Sequence, residues 1–391
     1  ENVLESMAVS TQNRYDIDHF AETANNGILN DIWNAWYNGI YRCNDVLDHM
    51  TGAKIANYDK YRGECLFLRS WWYFNLYRVF GVVPITRTVV TPAAAKLIPR
   101  CTEEEMYTLL TEDLAEAARL LPPTPGPEKA RVANIAAYTL LAKVYLTFGK
   151  PAEAKTALEE AMKNTSYGLE STTKKVFDVG NKMNREIIFA LYYNKTNDNG
   201  HGYWYSANTD VLADINNPTP TFKAIYDSEK DNRLPLISSY TKIKDNLFAM
   251  TKWYDTYDAT YTTQVGNDFP HLRYADVVLM YAEALAESGG SLGDALEWLN
   301  KTRTRAGLDE LTTDEVKSLA EFRRELAAER GREFALEGHR WFDLVRLGLA
   351  VDYFREMGYS LDSHNLIFPI PQNQIEIVNN PSILWQNPGF N

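Results

Sequence analysis

The sequence predicts a mostly α-helical protein in which stacked helical hairpins form an α-α superhelix, interrupted by a loop-rich insertion. Apolar residues recur at intervals of three and four over most of the 391 residues, which is the periodicity of an amphipathic helix. Between Tyr138 and Leu158, small and large residues alternate with the spacing of a helix hairpin. Both patterns stop between Thr165 and Pro270, so we expect loops and a few short strands there.

Three helices are predicted in the first third of the chain. The segments Asp31–Met50 and Tyr61–Phe80 each carry one apolar stripe, and Gly81 ends the second. These two helices are expected to pair as a hairpin. The third helix begins at Thr102, because a threonine followed three residues later by Glu105 is the capping-box pattern.

The next helices carry the spacing of a tetratricopeptide hairpin. The run Tyr138-x-x-Leu141-Ala142-x-x-Tyr145 precedes Ala154-x-x-x-Leu158, which places a small residue where two helices touch. A looser copy of this pattern runs from Leu279 to Leu299. Each hairpin can bury its apolar face only against a neighbour, so we expect about four tetratricopeptide-like hairpins stacked on one continuous core.

The insertion combines one apolar run with two groups of aromatic residues. Ile187–Tyr193 is short and apolar, as expected of a strand. The first group is Tyr203-Trp204-Tyr205, which follows a polar and glycine-rich stretch. The second group contains Trp253, Tyr254, Tyr257 and Tyr261. Long loops in a compact domain usually carry function, so the insertion is the expected ligand side.

The C-terminal part begins with another helical region. Charges of both signs alternate from Glu321 to Leu347, which indicates a salt-bridged face that is partly buried if it lies between hairpins. The tail from Leu366 to Asn391 is rich in Pro and Asn and is predicted to be extended. The expected division of a single 1–391 domain is a hairpin scaffold in 28–164 and 272–350, an insertion in 165–271 and an extended segment in 351–391.

Composition limits the classes of ligand. The chain has 40 Lys and Arg and 52 Asp and Glu, for a net charge of −12. Such acidity argues against nucleic acid or an anionic lipid surface as the main partner, and it suits neutral or cationic ligands. The three cysteines, Cys43, Cys65 and Cys101, lack zinc spacing and are expected to be small buried residues. No cofactor or metal is predicted.

The short motifs of the sequence do not predict an enzyme. Gly289-Gly290-Ser291-Leu292-Gly293 matches G-x-S-x-G, but it links two helices and no strand precedes it, so we interpret it as a turn. His339 and Asp343 share a helical face without a third metal ligand, and we expect them to be solvated or capped. Phosphate-binding glycine motifs do not occur.

Four segments resemble the SusD/RagB family. They are Leu68–Leu76 with Phe80–Ile85, Arg273–Ala284, Glu333–Arg346, and Phe368–Gln372 with Gln386–Phe390. The resemblance extends over nearly the whole chain, and it implies four tetratricopeptide-like hairpins packed against a variable, loop-rich half. Since the four segments resemble the family's scaffold, we do not expect their residues to contact ligand.

The resemblance also implies a location and a partner. A family member is expected to be a surface-exposed outer-membrane lipoprotein that captures nutrient glycans and covers a TonB-dependent transporter of the SusC type. Relatives normally begin with a lipidated cysteine, whereas this chain begins close to the first hairpin, so membrane contact is expected only through an anchor absent from it. The turn after Phe80 reads Gly-Val-Val-Pro where Gly-Asp-Val-Pro is usual, which we expect to be harmless.

The expected function is non-catalytic glycan binding on the insertion, because aromatic faces stack on sugar rings. A peptide-binding member of the same family is the main alternative, and a glycoside hydrolase is a further one. An interaction scaffold would coexist with glycan binding. The expected ligand contacts are Trp204, Tyr205, Tyr203, Tyr257, Tyr261, Asn199 and Arg14, although each aromatic ring could instead pack its loop against the scaffold. Trp33, Trp36, Trp71 and Trp72 lie in amphipathic helices and are expected in the core.

Overall fold

The computed structural model describes residues 12–126, 130–193, 206–208, 218–244, 247–255 and 266–390. Within these ranges the protein is mostly helical with a few short strands, which confirms the predicted fold class. The helices are α1 Gln12–Asp18, α2 Gly27–Met50, α3 Tyr58–Phe80, α4 Pro92–Ala95, α5 Glu103–Leu120, α6 Asn134–Thr147, α7 Pro151–Met162, α8 Thr173–Val176, α9 Pro220–Lys223, α10 Leu234–Ser238, α11 Tyr274–Glu287, α12 Leu292–Arg305, α13 Leu319–Glu333, α14 Arg340–Arg346, α15 Ala350–Glu356 and α16 Gln372–Val378. The strands are β1 Ile187–Leu191, β2 Ser206–Asn208, β3 Tyr240–Lys244, β4 Leu247–Met250 and β5 Phe269–Arg273.

The helices of the scaffold stack in chain order. Each of α2, α3, α5, α6, α7, α11 and α12 packs against the next in that series. The hairpins predicted from the sequence are the pairs α2–α3, α6–α7 and α11–α12, and α5 lies between α3 and α6. The small residues at the predicted helix contacts are fully buried, which lets the helices approach closely. They are Ala142, Ala154, Ala282 and Ala295.

Local signals in the sequence set the helix ends. The backbone N–H of Glu105 donates to Thr102 Oγ1 at 3.1 Å and that of Thr102 to Glu105 Oε2 at 2.7 Å, so the predicted capping box forms at α5. Gly81 ends α3 with a φ of 72°, and a Cβ there would lie 2.5 Å from Ile367 Cδ1. Only glycine satisfies both the conformation and the close approach.

Two small sheets lie in and beside the insertion. The predicted strand forms as β1, which pairs with β5 in antiparallel register, with Ile187 opposite Arg273 and Leu191 opposite Phe269. The second sheet has the order β2-β4-β3. Because β5 leads directly into α11, the first sheet connects the insertion to the scaffold.

A buried ion network also joins the insertion to the scaffold. Arg273 donates to the carboxylates of Glu186, Glu333 and Glu337 at 2.7–2.8 Å, and all four side chains are almost fully buried. Burial alone would raise the pKa of Glu333, but three surrounding arginines hold it well below its usual range. The other members are Asp231, Arg233, Lys252, Arg305 and Glu329. The alternating charges predicted on α13 are therefore partly buried, at Glu329, Arg330 and Glu333 near its C-terminal end.

A second ion cluster corrects the expectation for His339 and Asp343. Both side chains are buried, whereas we expected them to be solvated or capped. Asp343 accepts from Arg330 Nε at 2.8 Å, and His339 Nδ1 lies 3.3 Å from Lys143 Nζ. Burial and the nearby ammonium lower the pKa of His339, so the ring is neutral. The helical pair is part of the core.

The C-terminal segment is not wholly extended, which corrects the expectation for 351–391. Helix α15 begins at Ala350, and its Phe354 packs edge-on against Trp341. Helix α16 begins after Pro371, which is compatible with a first helical turn, and ends at Asn379 in the left-handed conformation. The composition predicted a loop because Pro and Asn are common in loops, but at Pro371 and Asn379 they mark the two ends of a helix.

Other expectations concern the cysteines, the tryptophans and the membrane. All three cysteines are free, with two buried and Cys65 half-buried. Trp33 and Trp71 are buried, and Trp36 and Trp72 pack against the same core. Among the helices in the described ranges, none combines the length and apolar character needed to cross a bilayer.

Candidate functional site

The six ligand contacts predicted in the insertion lie outside the described residues. They are Asn199, Tyr203, Trp204, Tyr205, Tyr257 and Tyr261. The residues on either side of them are described, however, so the structure defines where segments 194–205 and 256–265 begin and end. We call the described residues at these ends the loop base: Lys182, Tyr192, Tyr193, Asp255, Gly266 and Asp268.

Lys182 holds the start of one segment beside the end of the other. Its ammonium donates to the carbonyl oxygens of Tyr193 and Gly266, both at 2.6 Å. The same group forms an ion pair with Asp268 at 2.7 Å, and Asp268 Oδ1 accepts from the Tyr193 backbone N–H at 3.0 Å. Burial raises the pKa of Asp268, although Lys182 offsets part of that rise. Residues 193 and 266 are therefore fixed at one place.

The two ends of segment 256–265 are also held together. The backbone N–H of Gly266 donates to Asp255 Oδ2 at 2.8 Å, and the Asp255 side chain is buried. Segment 194–205 ends just before Ser206, which pairs with Ala249 of β4 in the β2-β4-β3 sheet. Strand β4 in turn leads to Asp255, after which segment 256–265 begins. Both aromatic segments consequently start and finish around the β1–β5 pair and the β2-β4-β3 sheet.

Trp253 lies close to the loop base in the chain and packs into the core of the insertion. It is 1% exposed, and its ring packs against Phe177 and Phe269 with centroid separations of 5.2 and 5.9 Å. The sequence grouped Trp253 with the loop aromatics, whereas the structure places it in the core of the insertion. The neighbouring Tyr254 is half-buried and lines a cleft.

Tyr192 is a further candidate ligand contact, and it was not predicted from the sequence. Its side chain is 51% exposed, and the ammonium of Lys182 lies 4.1 Å from its ring centroid. The ring is thus polarised and held at the loop base, where a sugar face could stack on it. The apolar run 187–193 concealed this residue, because only its last residues leave the strand and reach solvent.

A cleft of about 500 Å³ adjoins the start of segment 256–265. We call it the insertion cleft. Three threonines, three lysines, one aspartate and two aromatic residues line it together with two aliphatic residues, a mixture that suits a polyhydroxylated ligand. Its lining residues are Thr172, Lys174, Lys175, Phe177, Asp178, Val179, Leu236, Thr241, Thr251, Lys252 and Tyr254.

Arg14 is the one predicted contact within the described ranges. It is half-buried on α1, which packs against α2 of the scaffold, and it does not line the insertion cleft. The ring of its neighbour Tyr15 stacks on His19 with a centroid distance of 3.8 Å.

The serine of the G-x-S-x-G match has a structural role. Ser291 is the N-cap of α12, and its hydroxyl oxygen accepts from the backbone N–H of Gly293 at 3.1 Å. A helix precedes this turn rather than the strand that a nucleophile elbow requires. In the described part of the chain, moreover, no three His, Cys, Asp or Glu side chains group so that they could hold a metal ion.

Comparison with known proteins agrees with this architecture. A model described as the SusD family matches residues 231–390, and one described as starch-binding associating with outer membrane matches residues 1–146. SusD-like protein P2 of Formosa agariphila is 26% identical, over 96% of this chain and 84% of that protein.

Two solved structures share the fold. A laminarin-binding SusD-like protein superposes with a TM-score of 0.80 at 24% identity, covering 99% of this chain and 91% of its own. Surface glycan-binding protein A from Bacteroides thetaiotaomicron gives 0.80 at 22% identity, covering 99% and 90%. Because the two family models match residues 1–146 and 231–390, which together make up most of the chain, the protein belongs to the SusD/RagB family.

Proposed function

We propose that this protein binds glycans on its insertion without cleaving them. The observation that carries the proposal is the loop base, because Lys182 brings the ends of both aromatic segments to one place. Aromatic side chains from two segments can then face one ligand, together with the exposed ring of Tyr192. The relatives named as laminarin-binding and glycan-binding support the same ligand class.

The residues proposed to contact the glycan combine stacking with hydrogen bonding. Trp204 and Tyr205 would stack on sugar faces, with further rings and polar groups around them. Sugar hydroxyls would pair with amides and charged groups, since a buried hydroxyl needs a partner. The further contacts are Tyr203, Tyr257, Tyr261, Asn199 and Arg14, to which the structure adds Tyr192.

Delivery to a transporter is the second part of the proposal. The description of the model that matches residues 1–146 supports association with the outer membrane. We propose that the protein is a surface-exposed lipoprotein there and that it passes captured glycan to a TonB-dependent transporter of the SusC type. The helical scaffold supplies a large rigid surface for such a partner.

Peptide binding is the competing ligand class, because aromatic and polar loops also suit extended peptides. A glycoside hydrolase would need two carboxyl groups placed across a sugar with pKa values that are split apart. The loop base holds two carboxyl groups, but Asp255 accepts from the Gly266 backbone N–H and Asp268 is paired with Lys182, so both are engaged in holding the loop ends. The proposed role is therefore capture rather than hydrolysis.

A screen of the purified protein against polysaccharides and peptides tests this proposal. Laminarin, starch, alginate, κ-carrageenan and a mixed peptide library would be immobilised, and bound protein measured. We expect binding to at least one glycan class and no release of shortened sugars on prolonged incubation. Binding to peptides alone would contradict the ligand class, and product release abolished by a single carboxylate substitution in this chain would contradict the non-catalytic role.

A further inference from the structure

The insertion cleft carries positive side chains that lack acidic partners. Lys174 and Lys175 both line it, and both are exposed. In the described ranges, neither ammonium forms an ion pair with an Asp or Glu side chain, unlike Lys143, Lys155 and Lys163 of the scaffold. Two ammonium groups that line one cleft without acidic partners give it a positive potential, which favours an anionic ligand group.

The remaining charged groups of the cleft are already engaged. Lys252 is buried, and its ammonium donates to Glu337 Oε1 at 2.7 Å, so these two charges balance. Asp178 accepts from the backbone N–H of Gly180 at 2.8 Å and caps the short turn Val179–Asn181. The groups free to meet a ligand therefore carry two positive charges against one partly occupied carboxylate.

The local charge is opposite in sign to that of the whole chain. The net charge is −12, which by itself suits neutral or cationic ligands. At physiological salt, however, exposed charges interact over only about 8 Å, so the charge of a bound group interacts mainly with its immediate neighbours. The neighbours in the insertion cleft include Lys174 and Lys175, the hydroxyls of Thr172 and Thr241, and one carboxylate, Asp178, which already caps a turn.

Resting on the proposed glycan-binding function, we propose that the insertion cleft recognises an anionic substituent of the glycan, a uronate carboxylate or a sulfate ester. The substituent would lie between the two ammonium groups and accept hydrogen bonds from the threonine hydroxyls. The protein would thus select acidic glycans, although it is itself acidic.

The test compares acidic and neutral oligosaccharides on the full chain. Probes of matched length would be alginate oligosaccharides for the carboxylate, κ-carrageenan oligosaccharides and their desulfated forms for the sulfate, and laminarin oligosaccharides as a neutral ligand. We expect one acidic probe to bind roughly threefold to thirtyfold more tightly than the neutral ones, the range that two exposed ion pairs support. Raising the salt to about 0.5 M should remove most of that preference.

A double variant locates the effect. Lys174→Gln with Lys175→Gln should remove the preference for the acidic probe and leave neutral binding unchanged. The matched control is Lys54→Gln with Lys317→Gln, two exposed lysines outside the cleft, which should change neither. Equal affinity of the wild type for acidic and neutral probes, or an unaltered preference in the double variant, would overturn this proposal alone. Failure of every glycan to bind would overturn the proposed function as well.

Discussion

Replacing Lys182 by Met should loosen the loop base while sparing the scaffold. Met keeps the apolar part of the side chain but removes three polar contacts of the ammonium, two with backbone carbonyls and one with Asp268. A hydrogen bond to a charged group contributes about 1.5–3 kcal/mol, and the Lys182 side chain is 22% exposed, which weakens each contact. We therefore expect local opening to become easier by about 3 kcal/mol in total.

Hydrogen–deuterium exchange measures that opening directly. The Tyr193 amide donates to Asp268, so its protection reports on the loop base. A change of about 3 kcal/mol corresponds to roughly hundredfold faster exchange at this amide. Glycan affinity should fall together with the protection, while amides in α6 and α11 keep theirs.

Lys54→Met, on an exposed loop of the scaffold, is the matched control and should exchange like the wild type. Unchanged protection of Tyr193 in the Lys182 variant would refute the anchoring role of this lysine. Equal acceleration of exchange throughout the scaffold would refute the local character of the effect.

Three further substitutions test other parts of the structure. Burial raises the pKa of Glu22 from 4.5 to about 7. Between these two pH values the native state holds a proton that the unfolded state has released, so the free energy of unfolding falls as the pH rises from 4.5 to 7. The difference in unfolding free energy between Glu22→Gln and the wild type, measured by urea melts, should therefore shift in favour of the variant from pH 4.5 to pH 8. A difference that does not depend on pH would contradict this. Arg273→Met leaves buried carboxylates without their cation and should cost about 3–5 kcal/mol of unfolding free energy, with Arg273→Lys losing less; a loss below about 1 kcal/mol would show that the network does not depend on this arginine. Ser291→Ala should cost about 1 kcal/mol of unfolding free energy through loss of the helix cap and leave glycan binding unchanged, and unchanged stability or weaker binding would contradict this structural role.

The helical scaffold could be predicted from the sequence because its signals are local. Apolar spacing identified α2 and α3, and the Thr102–Glu105 pair identified the start of α5. Helix α16 was missed because Pro371 and Asn379 mark loops as often as helix ends. The ion network was only partly predictable, since Glu186 and Arg273 are 87 residues apart and charge spacing along α13 does not reveal such partners.

The candidate site was less accessible to prediction, because it depends on contacts between distant segments. The sequence indicated which loops carry aromatic residues, but nothing in it shows that Lys182 would meet both Tyr193 and Gly266. For the same reason, the sequence did not distinguish the buried ring of Trp253 from the exposed ring of Tyr192. Whether an aromatic residue is buried or exposed at the end of a strand depends on what packs over it, and this is a property of the tertiary fold.

Calorimetric titration of Trp204→Ala with the glycan selected by the screen tests whether the insertion binds sugar through its aromatic rings. A stacking ring contributes on the order of 1–3 kcal/mol, so we expect affinity weaker by roughly ten- to a hundredfold with an unchanged melting temperature. The control is Trp385→Ala, since Trp385 is a tryptophan with 41% of its surface exposed that lies in the C-terminal segment, and this variant should bind like the wild type. Unchanged affinity of Trp204→Ala would contradict the account, and so would a large fall in its melting temperature, because the ring would then serve packing rather than binding.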